Sequence, residues 1–384
     1  MDNLCIHSDA CGGCDFKGVS YEEQLEYKLQ YCRNLFSRFK VKEFSPIIPS
    51  PDINHYRNKM EFAVSCKDSS VLLGLRQKGQ FKKVVDIKEC GIFFKGLGEI
   101  LLFFKGWAAD HKIQPYDLSK HSGEFRFVTL RHSKSNGAVM AVIACAMNKG
   151  RFESRKDDYI ALANGLKNNM AVRSVYLCFN EGLADNALTD ELILLDGDRH
   201  IKERVGDIDY LIGPKTFFQS NTSCCSRLYA VIKEELKSKT QKVLDIYCGS
   251  GGISLQLAGA SKKVIAVDNS EQNIEAAREN AMLNNIPGVE FLCQDAEDFL
   301  ADKESLKNAS TIIVDPPRSG LSKKFRQALI ESGIENIIYV SCNPINLRQD
   351  LILMEKAYSI EKIIPVDMFP RTRHIEAVAR LRRV

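Results

Sequence analysis

Lys242-Val243-Leu244-Asp245-Ile246-Tyr247-Cys248-Gly249-Ser250-Gly251-Gly252 decides how the C-terminal half folds. An apolar run breaks into a glycine-rich turn, the pattern of a buried strand entering a strand-to-helix connection. Two further runs stop as abruptly. Thr311-Ile312-Ile313-Val314 ends at Asp315-Pro316-Pro317-Arg318, and Ile337-Ile338-Tyr339-Val340 ends at Ser341-Cys342-Asn343-Pro344. In open α/β sheets ligands bind at the carboxyl ends of the strands. A glycine turn, a carboxylate and a thiol are therefore expected to share one crevice.

From about Gly213 onward, strand candidates alternate with helical stretches, which implies a parallel sheet with crossover helices. The candidates are Val243 to Tyr247, Lys263 to Asp268, Val289 to Gln294, Thr311 to Asp315, Ile337 to Ser341, Ile360 to Asp367 and Glu376 to Leu381. Only Met368 to Ile375 separates the last two, too little for a helical crossover, so they are expected to form an antiparallel hairpin. An α/β fold of five parallel strands closed by a hairpin fits a Rossmann-like class I methyltransferase sheet better than a dinucleotide dehydrogenase. Gly249 and Gly251 would let the backbone approach a ligand closely. Asp268 closes the next strand about 20 residues later, a spacing that suits a carboxylate binding ribose hydroxyls. NAD and S-adenosylmethionine would both use such a turn, but the dinucleotide fingerprint fails at Ser254. S-adenosylmethionine is favoured; the bland alternative is a tight turn without a ligand.

The N-terminal half reads as a β-rich α+β domain. A loop with Cys5, Cys11, Gly12, Gly13 and Cys14 precedes a helix introduced by Ser20 and Glu23 as a capping box, running to about Phe39 with Leu25, Leu29, Cys32 and Phe36 at helical spacing. Strand-like segments follow at Glu61 to Cys66, Val71 to Arg76, Phe125 to His132, Ala138 to Ala144 and Val172 to Phe179. Arg57, Lys59, Arg76, Lys78, Lys82, Lys83 and Lys88, interleaved with Tyr56 and Phe81, form a basic, aromatic stretch, readable as a polyanion contact or as a solvated face. The net charge of +4 permits a polyanionic partner without demanding one. The start of the chain is polar, and the apolar run Ile100 to Phe104 is too short to span a bilayer, so a cytoplasmic protein without a membrane partner is expected. Thirteen cysteines, an odd number, fit thiols or metal ligands better than a disulfide framework. Cys5, Cys11 and Cys14, with Cys90 as a distant fourth, would suit zinc or an iron–sulfur cluster.

Phe218-Gln219-Ser220-Asn221, Asp245-Ile246-Tyr247-Cys248-Gly249, Asp315-Pro316-Pro317-Arg318, Ser341-Cys342-Asn343-Pro344 and Asp367-Met368-Phe369-Pro370, with Thr372, His374 and Glu376, resemble the RNA (uracil-5)-methyltransferases. Cys5, Cys11, Cys14 and Tyr56-Arg57-Asn58-Lys59 are similar to the iron–sulfur-bearing branch that makes 5-methyluridine in 23S rRNA, in its subgroup lacking a TRAM domain. The resemblance implies an iron–sulfur-containing RNA-binding domain over 1–213 and a methyltransferase domain over 214–384. It implies Cys342 as nucleophile, Glu376 as general base, and Gln219, Tyr247, Asp268 and Asp315 around S-adenosylmethionine at the Gly249 and Gly251 turn. It also favours a 4Fe-4S cluster over zinc at Cys5, Cys11, Cys14 and Cys90. Asp268 stands where relatives often carry glutamate. The bland reading of Cys342 is a small buried apolar residue, which its place at a strand end before Asn-Pro disfavours, whereas without the resemblance Glu376 reads as a surface carboxylate. Arg318 and the helix expected after Pro344 would favour the Cys342 thiolate. The expected partner is 23S rRNA, with the T-loop uridine of tRNA as alternative substrate and a non-catalytic iron–sulfur RNA-binding protein as the alternative of another class. A monomer is expected, with Arg57, Lys59, Lys82 and Lys83 on RNA phosphates.

Overall fold

The computed structural model describes residues 5–68, 70–189, 191–236, 242–261 and 263–384, so the first four residues of the expected N-terminal domain lie outside the described residues. The chain divides into two compact units. One holds Met1–Gly18, Ile53–Arg204 and Leu211–Lys215, the other Val19–Asp52, Val205–Tyr210 and Thr216–Val384. A single cut at 213 thus misplaces residues 19–52. The reason is packing: Phe36 of the helix Tyr21–Phe36 joins the apolar core of the second unit, and the short strand Glu43–Phe44 pairs in parallel with Tyr358–Val366.

The first unit is built on a seven-stranded sheet. Its order is Gln80–Asp86, Ser70–Gln77, Lys59–Lys67, Phe125–His132, Val139–Cys145, Val172–Phe179 and Leu192–Gly197. Neighbours run antiparallel except Val139–Cys145 with Val172–Phe179, whose parallel pairing is made by a crossover through the helix Lys156–Asn169. Phe62, Val128 and Leu130 face Phe104 and Trp107 of the helix Leu97–Asp110 in one core. The apolar run at Ile100 to Phe104 is therefore the buried side of a helix. The edge strand Gln80–Asp86 was not among the expected strands, because its exposed Phe81, Lys82 and Lys83 break the apolar alternation.

The second unit carries an eight-stranded sheet. Its order is Glu43–Phe44, Tyr358–Val366, Glu376–Arg383, Asn336–Ser341, Ala309–Val314, Lys242–Ile246, Lys263–Asp268 and Val289–Cys293. The five strands from Val289–Cys293 to Asn336–Ser341 run parallel, and Glu376–Arg383 lies antiparallel both to Asn336–Ser341 and to Tyr358–Val366. The closing hairpin is thus as the short connection demanded. Its last strand inserts beside the parallel set, which brings its first residue, Glu376, to the ligand-binding edge.

Candidate active site

The glycine turn is conformationally demanding. Tyr247, Gly249 and Gly251 have φ of 66°, 54° and 84°, a region that costs a residue with a side chain but little for glycine. A side chain at Gly251 would also sit 3.2 Å from Ala277 Cβ. Asp268 Oδ2 accepts the Gly249 N–H at 2.9 Å, while Oδ1 accepts the Ser270 N–H at 2.9 Å and Asn273 Nδ2 at 3.1 Å. A carboxylate has about four lone-pair sites, so three bonds fix Asp268 and leave room for a ligand hydroxyl. Ser254, whose presence spoils the dinucleotide fingerprint, donates its hydroxyl to buried Asp245. Burial, with Asp268 nearby, pushes Asp245 up to about 7.

Gln219, Phe217, Tyr247, Ser250 and Asp315 line one cleft above this turn. Gln219 Nε2 donates to Asp315 Oδ2 at 3.4 Å. Burial first, then the charge of Asp245, pushes Asp315 up to about 7. A cation placed in the cleft would restore the ionised form. Rings, a glycine turn and a carboxylate short of positive charge fit S-adenosylmethionine, which carries a sulfonium and an ammonium. The expected cofactor residues Gln219, Tyr247, Gly249, Gly251, Asp268 and Asp315 therefore gather at one turn and its cleft.

The antiparallel register pairs Val340 with Val378 and Ser341 with Ala377. One step further sets Cys342 opposite Glu376. Glu376 is 2% exposed and its Oε1 has no hydrogen-bond partner. Burial, then Asp315, holds its pKa well above the usual carboxylate range, against the opposing pull of Arg318. Cys342 is half-buried; burial, then Glu376 and Asp315, pushes its thiol up to about 11, while Arg318 pulls it down. The expected helix Pro344–Met354 is present, with Asn343 as its cap. Arg318 and that helix nevertheless do not make Cys342 a thiolate in the free protein, because burial and two acids outweigh them.

The loop bearing Arg318 is pinned through backbone contacts. Asn343 Nδ2 and Asn346 Nδ2 donate to the Arg318 carbonyl at 3.1 and 2.6 Å, and Arg318 Nη2 lies 3.1 Å from His374 Nδ1. Buried Asp350 accepts the Leu321 N–H at 3.0 Å and the Tyr339 hydroxyl at 2.7 Å. Behind the Met368–Ile375 segment, Lys28 Nζ meets Asp367 Oδ1 at 2.5 Å, with 1% and 0% of the two side chains exposed, and also donates to the Phe369 carbonyl at 3.0 Å. Asn221 caps the helix Thr222–Glu235 and donates Nδ2 to the Met368 carbonyl at 3.0 Å. Sequence reasoning missed Lys28 and Asp350 as supports. The one available signal was the spacing Gln24, Lys28, Cys32, Phe36, four residues apart, which is the buried edge of the helix in place of the expected Leu25 and Leu29.

In the first unit, Cys5, Cys11, Cys14 and Cys90 are each half-buried. Burial raises Cys90 and Cys11; Cys11 and Cys5 add to the rise at Cys90, so these three thiols lie within electrostatic reach of one another. Among the described residues, however, no three His, Cys, Asp or Glu side chains are arranged to hold a metal ion. Of the expected phosphate contacts, Lys82 and Lys83 are exposed, Lys59 is engaged by Glu61 at 2.8 Å, and half-buried Arg57 donates to the Lys59 carbonyl at 3.2 Å. Among the described residues no helix is long and apolar enough to cross a membrane.

Comparison with known proteins agrees with this geometry. Residues 194–384 match the model of the tRNA (Uracil-5-)-methyltransferase family. An uncharacterized RNA methyltransferase of Nanoarchaeum equitans is 35% identical over 383 residues, covering 100% of this chain and 80% of the relative. One from Caldanaerobacter subterraneus subsp. tengcongensis is 30% identical over 391 residues, covering 100% of this chain and 85% of the relative. The crystal structure of Pyrococcus abyssi tRNA (uracil-54, C5)-methyltransferase in complex with S-adenosyl-L-homocysteine superposes with a TM-score of 0.78 at 31% identity, covering 97% of this chain and 86% of that one. The chain belongs to the tRNA (uracil-5-)-methyltransferase family.

Proposed function

We propose that this protein methylates carbon 5 of an RNA uridine through a transient bond between Cys342 and carbon 6 of the base. The observation that supports it most is that Cys342 lies within electrostatic reach of a buried glutamate, Glu376, whose Oε1 has no partner, and of Asp315, an acid that lines the cofactor cleft. Carbon 5 of uracil is a poor nucleophile. Cys342, protonated in the free protein, gives up its proton to solvent, and addition of the resulting thiolate to carbon 6 forms an S–C bond and moves the double-bond electrons into an enolate, which makes carbon 5 nucleophilic. Gln219, Tyr247, Asp268 and Asp315 would hold S-adenosylmethionine over the Gly249 and Gly251 backbone, and it would supply the methyl group to carbon 5, its sulfonium sulfur keeping the electrons of the broken S–CH3 bond and leaving as a neutral thioether. Glu376 then takes the proton of carbon 5, the electrons of that C–H bond restore the ring double bond, and sulfur departs as thiolate. Burial makes Glu376 a stronger base than a surface carboxylate. The uridine enters flipped, since a stacked base hides carbons 5 and 6 from a thiol on one side and a methyl donor on the other.

The target in this reading is a uridine of 23S rRNA, and a 4Fe-4S cluster on Cys5, Cys11, Cys14 and Cys90 belongs to the same reading. A tRNA uridine is the second reading, supported by the named substrate of the Pyrococcus abyssi enzyme. Transcripts of both RNAs containing 5-fluorouridine test the mechanism and the target together. Fluorine on carbon 5 does not leave as a proton, so the enzyme is expected to stay attached, in a denaturant-resistant band that needs S-adenosylmethionine and is absent from Cys342→Ala. The 23S transcript should be trapped and the tRNA transcript spared. No band with either RNA sinks the covalent mechanism. Iron and acid-labile sulfide in anaerobically purified protein test the cluster, and a colourless, zinc-containing, iron-free protein removes it.

A further inference from the structure

The first unit carries an exposed aromatic ring beside a cleft with surplus positive charge. The hairpin Ser70–Asp86 forms the edge of its sheet and holds Arg76, Lys78, Lys82 and Lys83 against one carboxylate, Asp86, which is itself held by Lys105 at 3.0 Å. Phe81 is 62% exposed, and the Arg76 guanidinium lies over its ring at 4.9 Å. Arg76 cannot swing away, because its Nη2 bonds both oxygens of Asp185 at 2.6 and 2.8 Å. The ring is thus backed on one side by a fixed guanidinium.

Arg76 also borders a cleft lined by Ser65, Lys82, Tyr116, Ser119 and Arg126. Arg126 is 2% exposed and lies 4.3 Å from the Tyr116 ring centroid. Its hydrogen bonds go to neutral oxygens, including the carbonyls of Asn180 at 2.7 Å and Ala184 at 2.8 Å, and its Nε has no partner. Two carboxylates line the same cleft. Asp185 is taken by Arg76, and Asp117 accepts the backbone N–H groups of Ser119 and Lys120. A buried guanidinium whose hydrogen bonds all go to neutral oxygens, with the two cleft carboxylates engaged elsewhere, leaves room for an incoming anion.

We propose that this hairpin grips a single-stranded stretch of the substrate RNA, with an unpaired base stacked on Phe81 and its phosphate in the cleft between Lys82 and Arg126. The inference rests on the reading of the protein as an RNA methyltransferase and adds a second RNA subsite, distant in sequence from Cys342. Lysines alone would be explained by protection of a sheet edge against aggregation. An exposed phenylalanine clamped by an arginine is not, since it adds apolar surface to the edge it should guard. Stacking on an aromatic ring accepts any base, and the lysines follow the backbone.

Methyl transfer to undermodified total RNA, measured against RNA concentration and salt, tests this. Phe81→Ala should raise the half-saturating RNA concentration about tenfold. Phe81→Trp should restore it, and its emission should be quenched by RNA, above the background of the chain's single natural tryptophan, the buried Trp107. Lys82→Ala should flatten the slope of log affinity against log salt by roughly 0.7 to 0.9. If the wild type is active while Phe81→Ala and Lys82→Ala match it and Phe81→Trp is not quenched, the inference falls and the methyltransferase reading stands. If the wild type modifies no RNA, both fall.

Discussion

Glu124 of the first unit and Glu376 of the second are both deeply buried, and the two are treated in opposite ways. Glu124 of the first unit is fully enclosed and accepts hydrogen bonds from Arg151 at 2.9 Å, Arg155 at 3.2 Å and the Tyr159 hydroxyl at 2.5 Å. Glu376 of the second unit is as deeply buried, yet its Oε1 is unpartnered and the nearest charge that burdens it is another acid, Asp315. A buried carboxylate is costly unless paired. In the first unit the cost is offset by two guanidinium groups, so the acid ties loops and helices together. In the second it is left standing, which is where a reactive proton acceptor is expected.

Substitution at the two glutamates should therefore have different signatures. Glu376→Gln removes the proposed base but not the proposed nucleophile, so turnover should fall roughly 10²- to 10⁴-fold while a methylated protein–RNA adduct accumulates. Single-turnover assays with denaturing gels measure both. The same change removes a charge that raises Cys342, so the thiol should alkylate at a lower pH than in the wild type. Intact turnover without adduct would erase the distinction between the two acids. Glu124→Gln takes an ionic partner from half-exposed Arg151 and from Arg155, which keeps Asp158 at 2.8 Å, and should lower stability by about 1–3 kcal/mol, read as a fall in thermal midpoint. Turnover of the folded fraction should be unchanged. A Glu124→Gln enzyme as crippled as Glu376→Gln would show that burial, and not missing partners, marks the catalytic acid.

The proposed catalytic carboxylate, Glu376, is legible only through its motif. Its strand and hairpin followed from the short Met368–Ile375 connection, and the parallel strands from runs that end in Gly249, Asp315 and Cys342. Such features are local: period, turn chemistry and strand ends lie within a few residues of one another. What stayed hidden is non-local. Lys28 reads as a solvated lysine until Asp367, 339 residues away, is brought against it. For the same reason the helix Tyr21–Phe36 was assigned to the wrong unit, since nothing within it shows that Phe36 packs with strands from the far end of the chain. The elevation of Cys342 was missed in sign as well. Sequence placed Arg318 and a helix terminus near the thiol, but the burial and the two acids that outweigh them depend on the register of strands that sequence does not specify.

Arg318 sharpens the comparison most finely, because it draws both Cys342 and Glu376 back toward their charged forms. Arg151 and Arg155 neutralise Glu124 by direct contact. Arg318 is exposed, and water and salt weaken its field. Its loss should therefore have a small effect of definite sign. Positive charge stabilises a thiolate, so Arg318→Met should raise the Cys342 midpoint by less than about one unit. Below that midpoint, site-resolved alkylation of Cys342 should slow, and methyl transfer should drop a few-fold at neutral pH and recover as pH rises. Added salt should narrow the gap between variant and wild type by screening the wild-type arginine. A gap unchanged by pH and salt would instead make Arg318 a support for its own loop, acting through the carbonyl held by Asn343 and Asn346, and the thiol would then depend on the arriving RNA for its activation.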